Sequence, residues 1–196
     1  MKIRGTHWVW FVWAMTSLPA NAVAAEPVSL QDVLAITVVT PPSRIRFHEE
    51  KHNSMLAEPL LLTGILEYHG RGQLRKIVQT PFAESFVIDG DQIVVERDGE
   101  TQVLDLNRSR SLQAFVHVIQ AILAGDNARI ERDFEVTVTG TADAWTVMLV
   151  PLLQRLRKRV PKLQLEGHAE ALQRITIELG GGERHMMTFI HKPDEP

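Results

Sequence analysis

The chain has 196 residues, no cysteine and a formal net charge of −3, with 24 acidic residues against 21 lysines and arginines. Without cysteine, neither a disulfide scaffold nor a lipid anchor on a cysteine is available. The acidic balance argues against nucleic acid as a partner, because affinity for phosphates comes mainly from clustered lysine and arginine.

The first 25 residues have the pattern of a cleaved secretory signal peptide. Lys2 and Arg4 precede an apolar run that begins at Trp8, and small residues follow at Ala22-Val23-Ala24. The run is shorter than the ~20 apolar residues that a transmembrane helix needs. We therefore expect an exported protein in which residues 1–25 are removed and residues 26–196 form a single domain.

A short helix is predicted next, followed by a series of strands. Ser29-Leu30-Gln31-Asp32 is a capping pattern, and apolar residues follow at spacings of mostly three or four. Pro41 and Pro42 end this helix, since proline cannot continue it. The period then changes to two, and the predicted strands run from Ile45 to His52, Leu60 to His69, Gln73 to Thr80, Ser85 to Asp89, Gln92 to Arg97 and Thr101 to Leu106. Asp89-Gly90 and Asp98-Gly99 provide tight hairpin turns, which indicates an antiparallel meander.

One strongly amphipathic helix interrupts the strands, and we predict it from Leu112 to Leu123. Its apolar residues recur every three or four positions, and Gly125 is suited to end it. The pattern fits an ordinary core helix and a movable lid over a cavity equally well, so both interpretations stay open.

The second half of the chain alternates more regularly. Apolar residues give five further strands one common apolar face: Phe134, Val136 and Val138; Trp145, Val147 and Leu149; Leu163 and Leu165; Ile175, Ile177 and Leu179; Met187 and Phe189. Gly180-Gly181-Gly182 is predicted as a hairpin turn, and the basic cluster from Arg155 to Arg159 as a solvated loop or helical turn. About eleven strands and two or three helices predict an α+β fold with a highly curved antiparallel sheet, which at this width tends to curl around side chains or one ligand.

Several segments of the first hairpins occur in a characteristic order. They are Phe47-His48-Glu49-Glu50-Lys51, Gly64-Ile65-Leu66-Glu67-Tyr68, Leu74-Arg75, Pro81 and Asp89-Gly90. With the export signal, this order resembles the LolA-like periplasmic outer-membrane lipoprotein carriers, at motif level over residues 28–97. The chain departs from the family pattern by one inserted residue in Gly70-Arg71-Gly72-Gln73, which suggests a divergent branch.

The resemblance implies an incomplete β-barrel closed by helices, with an apolar cavity that shields acyl chains in the periplasm. Each buried CH₂ is worth roughly 0.8 kcal/mol, so an acylated passenger cannot cross water uncovered. On this basis the cavity wall is predicted to consist of Leu62, Leu66, Tyr68, Val94, Phe134, Val136, Trp145, Val147, Ile175 and Ile177. The covering helix is predicted to contribute Leu112, Phe115, Val116 and Ile119, and Arg71 is the candidate lid-closing residue.

The same resemblance implies the partners of the protein. We expect an acylated lipoprotein or lipid as passenger, an inner-membrane donor, an outer-membrane acceptor and a monomeric carrier. We expect no nucleic acid, no cofactor, no metal and no catalytic residues.

Two alternatives come from other classes of protein. His48-Glu49-Glu50-Lys51-His52 matches the His-Glu-x-x-His motif of zinc metalloproteases, which requires a helix to bring both histidines to one ion. In a strand they would be about 13 Å apart at ~3.3 Å per residue, and Pro41 with the alternating pattern favours a strand. The other alternative is a periplasmic protein-interaction module with a filled core and an exposed edge strand, which predicts no ligand-sized void.

Overall fold

The computed structural model describes residues 27–70, 72–108 and 110–191, and includes their side chains except at 110–112, 114 and 115. The predicted signal peptide, residues 1–25, and the candidate lid residue Arg71 lie outside the described residues.

Within these described ranges, eleven strands form one antiparallel sheet. They are β1 (Ser43–His52), β2 (Leu60–Gly70), β3 (Gln73–Thr80), β4 (Glu84–Asp89), β5 (Gln92–Arg97), β6 (Glu100–Asp105), β7 (Phe134–Gly140), β8 (Ala144–Pro151), β9 (Lys162–His168), β10 (Ala171–Glu178) and β11 (Arg184–Ile190). Their order is β6-β5-β4-β3-β2-β1-β11-β10-β9-β8-β7, so two meanders join where β1 pairs with β11. The sheet is curved and does not close, because β6 and β7 remain its edges. The predicted α+β class and strand number are confirmed.

In the part of the chain that the structure describes, four α-helices and one 3₁₀ turn accompany the sheet, where the sequence predicted two or three helices. They are α1 (Leu30–Thr37), the 3₁₀ turn (Leu106–Arg108), α2 (Arg110–Ala124), α3 (Asn127–Asp133) and α4 (Gln154–Arg157). The predicted helix near Leu112 to Leu123 is α2. Since α3 and α4 have only seven and four residues, neither is long enough to produce a clear helical period. The basic cluster occupies α4 and the residues after it, in agreement with the predicted helical turn.

The N-terminal cap predicted for α1 is present. The Asp32 amide donates to the Ser29 hydroxyl, and the Ser29 amide donates in return to the Asp32 carboxylate, over 3.2 and 3.0 Å. This reciprocal pair satisfies two backbone donors that the first helical turn would leave without partners. It fixes the start of a helix whose Leu30, Val33 and Leu34 are buried.

The apolar core differs between the two halves of the sheet. Over β7–β9, side chains from α1, α2 and α3 fill the space above Trp145, Val147 and Leu163 in one packed cluster. Smaller clusters form around Phe47 and around Leu106. Over β2–β5 and β10–β11 fewer helical side chains reach the sheet, and space remains between them.

Candidate functional site

A cavity of about 490 Å³ lies between the sheet and α2. Its wall is mostly apolar, with side chains from β2–β5, from β10–β11, from α2 and from the α4 region: Leu66, Leu74, Phe86, Ile88, Ile93, Val116, Ile119, Leu156, Val160, Ile175, Ile177, Leu179 and Met187. Ligand pockets in proteins commonly measure about 300–1,000 Å³ and have mainly apolar walls with a few placed polar groups. The cavity is therefore large enough for an apolar ligand of ordinary size.

Among the described residues, five give this cavity its polar groups: Glu49, Lys51, Lys76, Arg159 and His185. Glu49 and Lys51 lie two apart on β1, so both point to the concave face. Lys51 pairs in register with His185 of β11, and both are close to the hairpin that joins β10 to β11. The cavity thus has a charged end as well as an apolar wall.

A buried ion pair connects β1 with β3 inside the cavity. The Lys76 ammonium donates to the Glu49 carboxylate, whose side chain is only 4% exposed. The His185 Nδ1 atom lies 3.7 Å from the same carboxylate, and its Nε2 atom lies 2.7 Å from the Glu183 carboxylate. Charges this deep need partners, because desolvation strongly disfavours an isolated ion.

Burial lowers the pKa of Lys76 below its usual value, and the Glu49 carboxylate only partly offsets that effect. The neighbouring Lys51 lowers the pKa of Lys76 further, since two like charges repel. The Lys76 ammonium also lies 5.2 Å from the centre of the Phe47 ring, within the range of a cation–π contact. Lys76 and Lys51 therefore place two positive charges close to each other at the charged end of the cavity.

Gly64 makes room for this arrangement. It pairs in register with Phe47, and a Cβ atom added to it would lie 2.8 Å from the Phe47 Cζ atom and 2.0 Å from the Ile77 carbonyl oxygen. Because Gly64 has no side chain, the Phe47 ring can lie over β2. The Lys76 ammonium can then lie over the Phe47 ring.

A second cavity of about 200 Å³ adjoins the first one. Its wall includes residues after α1 and the far ends of β1, β2 and α2, among them Val38, Tyr68 and Leu123. Four side chains line both cavities: Leu66, Leu74, Ile119 and Ile175. These four side chains separate the two spaces, so rotation of a few of them would change how far the cavities connect.

Six of the residues predicted for the cavity wall or the covering helix line one or both cavities: Leu66, Tyr68, Val116, Ile119, Ile175 and Ile177. Five predicted wall residues lie instead in the packed clusters: Leu62, Phe134, Val136, Trp145 and Val147. For the four residues on β7 and β8 the difference arises because helices cover β7–β9 closely, whereas Leu62 of β2 packs with Phe47, Val78 and Phe189. The alternating pattern of a strand does not indicate which side chains will pack against it.

The structure places Val94 on the opposite face of the sheet. Its neighbour Ile93 lines the large cavity, and successive side chains of a strand point to opposite faces. Val94 pairs with Val103, which is 55% exposed on the edge strand β6. The consecutive apolar residues of Gln92–Arg97 gave no alternation from which to choose the inner face.

The remaining predicted residues are only partly described. Leu112 and Phe115 belong to α2 by their backbone, but their side chains are outside the description, as is Arg71. Whether these three residues act on a ligand stays a prediction.

Most residues of the charged end were not predicted from the sequence. The basic cluster that contains Arg159 was predicted to be solvated, and no role was predicted for Lys76, although the alternation of β3 places Lys76 on the same face as Leu74 and Val78. A charged residue at an inward position of a regular strand was the available signal. The position of Arg159 depended on packing of the α4 region and had no local signal.

The His-Glu-x-x-His segment lies in β1, as predicted, and not in a helix. His48 and His52 project to the outer face while Glu49 projects to the inner face, and His52 contacts Glu50 at 3.3 Å. Two histidines about 13 Å apart along a strand cannot share one zinc ion. Within the described ranges, no group of three or more histidine, cysteine or acidic side chains is suited to hold a metal ion.

Among the helices of the described residues, none is both long and apolar enough to cross a membrane.

Residues 22–187 match the family model described as outer membrane lipoprotein carrier protein LolA-like. Among solved structures, a LolA superfamily protein from Nitrosomonas europaea is 14% identical with a TM-score of 0.45, over 86% of this chain and 96% of that chain. The lipoprotein LppX from Mycobacterium tuberculosis is 10% identical with a TM-score of 0.45, over 85% and 97%. MucB from the MucA/MucB complex of Pseudomonas aeruginosa is 16% identical with a TM-score of 0.36, over 85% and 59%. No curated protein matches the chain significantly.

Proposed function

Since this chain belongs to the LolA-like family of outer membrane lipoprotein carrier proteins, we propose that it is a periplasmic carrier of an acylated molecule. It binds the acyl chains of a lipoprotein, or of a related lipid, in the cavity of about 490 Å³ and moves them toward the outer membrane. The passenger is received from an inner-membrane donor and delivered to an outer-membrane acceptor. The protein acts by binding rather than by catalysis.

The apolar wall of the large cavity is the observation that carries this proposal. Ile119 of α2 faces Ile175 of the sheet across the same space, and both also border the smaller cavity. An acyl chain placed there leaves water at about 0.8 kcal/mol per CH₂, which gives an affinity without any specific polar contact. The helix α2, with Leu112, Phe115, Val116 and Ile119, is proposed as the cover of the bound chain.

The alternative of an interaction module predicted a filled core without a ligand-sized void. Two adjoining cavities in the described part of the chain are against it. A zinc metalloprotease is also disfavoured, because the motif residues lie in a strand.

The proposal is tested by native mass spectrometry of the exported protein, purified from periplasm without detergent. We expect an adduct with the mass of an acylated molecule on the wild-type chain and its loss in Ile119→Asp, which places a charge in the apolar space. Ala124→Asp, on an exposed position of the same helix, is the matched control and should keep the adduct.

Thermal unfolding of both variants by circular dichroism shows whether they are folded. A folded Ile119→Asp protein that carries as much acylated adduct as the wild type would contradict the proposal. So would a wild-type protein that binds no added acyl amphiphile.

A further inference from the structure

The charges at one end of the large cavity are not balanced. The Glu49 carboxylate is already paired with the Lys76 ammonium, and His185 contacts Glu183 as well as Glu49. Among the described residues, neither Lys51 nor Arg159 takes part in a salt bridge. The cavity end therefore presents two cations without a carboxylate of their own.

Both cations flank the same structural feature, the hairpin between β10 and β11. Lys51 pairs in register with His185, which pairs in turn with Ile177. The backbone of Arg159 is held against the hairpin, because the Gly180 amide donates to the Arg159 carbonyl oxygen over 2.8 Å. A Cβ atom on Gly180 would lie 2.6 Å from the Lys158 carbonyl oxygen, so this close approach depends on glycine.

The charged end adjoins an apolar one. Lys51 is partly buried and Arg159 is exposed, so this end of the cavity lies next to solvent. From there, Ile177, Met187, Ile175 and Leu66 continue the apolar wall inward, and Lys76, the cation next to Leu66, is already paired with Glu49. A ligand that matches both ends has an apolar chain and a negatively charged group at one terminus.

We propose that the cavity selects acyl ligands with an anionic headgroup, a carboxylate or a phosphate, bound between Lys51 and Arg159 at the β10–β11 end. This inference rests on the proposed carrier function and deepens it by naming the ligand class. The headgroup neutralises cations that otherwise repel one another beside Lys76, and the chain lies along the apolar wall.

The test compares three amphiphiles with the same palmitoyl chain, titrated below their aggregation limits by isothermal calorimetry. Palmitoyl lysophosphatidic acid and palmitate carry the two anionic headgroups, and monopalmitoylglycerol is neutral. We expect the wild-type protein to bind at least one anionic ligand about tenfold more tightly than the neutral one, as for a charge-assisted hydrogen bond. The preferred anion distinguishes a phosphate from a carboxylate.

Two double variants, each of which removes two positive charges, show which residues cause the preference for an anionic headgroup. Lys51→Gln/Arg159→Gln should lose it and bind all three ligands similarly. Arg155→Gln/Lys158→Gln removes two exposed cations of the same region that do not line the cavity and should keep it. Thermal midpoints near that of the wild type establish that both doubles are folded.

Each negative outcome shows whether the headgroup inference fails alone or together with the carrier function. Equal affinity of the wild type for neutral and anionic ligands overturns the headgroup inference and leaves the carrier function standing. Equal loss of preference in both double variants also overturns it, because attraction would then come from general surface charge. Absence of binding to all three ligands overturns the carrier function together with the inference.

Discussion

At the scale of single residues, two glycines hold aromatic rings of the neighbouring strand. Gly64 lies beneath the Phe47 ring, and Gly167 lies beneath Trp145, its register partner on β8. A glycine in a strand leaves a gap that an aromatic side chain from the adjacent strand can cover. The two pairs support different halves of the sheet, near the cavity and under the packed helices.

We predict that Gly167→Ala displaces the Trp145 side chain. The added Cβ atom would lie 2.0 Å from a ring atom of Trp145, so the ring must move and its Nε1 donor leaves the Ala169 carbonyl oxygen, now 3.1 Å away. The expected loss is about 1–3 kcal/mol of unfolding free energy, as for an overpacked core, measured by urea denaturation.

Fluorescence checks the mechanism, because Trp145 is the only tryptophan after residue 25. Its emission should shift to longer wavelength as the buried ring becomes exposed. An unshifted spectrum with unchanged stability would mean that the ring does not depend on Gly167.

Because Glu49 and Lys76 form a buried ion pair, substitutions of the two residues should have non-additive effects on the unfolding free energy. Lys76→Met leaves the carboxylate buried without its main partner and should cost about 3–5 kcal/mol of unfolding free energy. Glu49→Gln together with Lys76→Met removes both charges and should recover most of that loss. Chemical denaturation of the single and double variants measures the coupling; additive effects would contradict a direct ion pair.

A pH effect on stability is expected from His117 of α2. Burial, with a smaller effect of Arg129, lowers the pKa of His117 below its ordinary value of 6.5. As the pH falls through 6.5 the unfolded chain takes up a proton that the native imidazole resists, so the unfolding free energy decreases toward acid. Thermal midpoints at pH 5.5 and 7.5 should differ less in His117→Gln than in the wild type; an unchanged difference would exclude His117 as the source.

At the scale of elements, short helices are stabilised by capping hydrogen bonds and by the apolar side chains that they bury. The eight residues of α1 are too few for a stable isolated helix, since nucleation is costly. Its capping box and its three buried apolar residues hold it over Trp145 and Val147 in the packed cluster. The four-residue helix α4 has no side-chain cap, and burial of Leu156 holds it in place while the surrounding basic residues are exposed.

Ser29→Ala tests the contribution of the α1 cap. Loss of the side-chain acceptor should lower the unfolding free energy by about 1 kcal/mol, as is typical of N-cap serine. Gln31→Ala, at an exposed position of the same helix, is the control and should be nearly neutral. Equal effects of the two substitutions in urea denaturation would mean that the cap does not stabilise the domain.

At the scale of the whole molecule, the curved sheet is filled on one side and open on the other. Three helices pack on β7–β9, whereas one face of α2 and the α4 region cover the space above β2–β5. The order of the sheet places β10 and β11 between these halves, so Ile175 and Ile177 border both the core and the cavity. The void is a consequence of how the helices are distributed over one continuous apolar surface.

Filling the void should abolish acyl binding without unfolding the protein. Ile177→Trp adds a large apolar side chain where a cavity of about 490 Å³ can receive it, so the thermal midpoint should change little while the affinity for an acyl amphiphile falls by at least about tenfold. Ile177→Val, which leaves the cavity open, is the control. Retained affinity in a folded Ile177→Trp protein would place the ligand elsewhere.

Much of the fold could be read from local patterns. Alternation and turn residues determined the strands, and the spacing of apolar residues determined α1 and α2, because the period of two or 3.6 arises within each segment. The same alternation placed the His48 motif in a strand, which separates the two histidines without any tertiary information. The family resemblance, carried by motifs between residues 28 and 97, is confirmed by the match over residues 22–187.

The sequence by itself therefore determined the strands, the antiparallel meander of the first six strands and the apolar inner face of the strands that alternate regularly. The pairing of β1 with β11, which joins the two halves of the sheet, was decided by the tertiary structure. Only the tertiary structure decided which residues of that face are packed and which border a void. Trp145 and Ile177 have the same inward pattern, yet one lies under helices and the other beside open space. The convergence of Lys51, Lys76 and Arg159 was likewise decided by packing, because these residues are distant in sequence and their distances depend on how the sheet curves around α2.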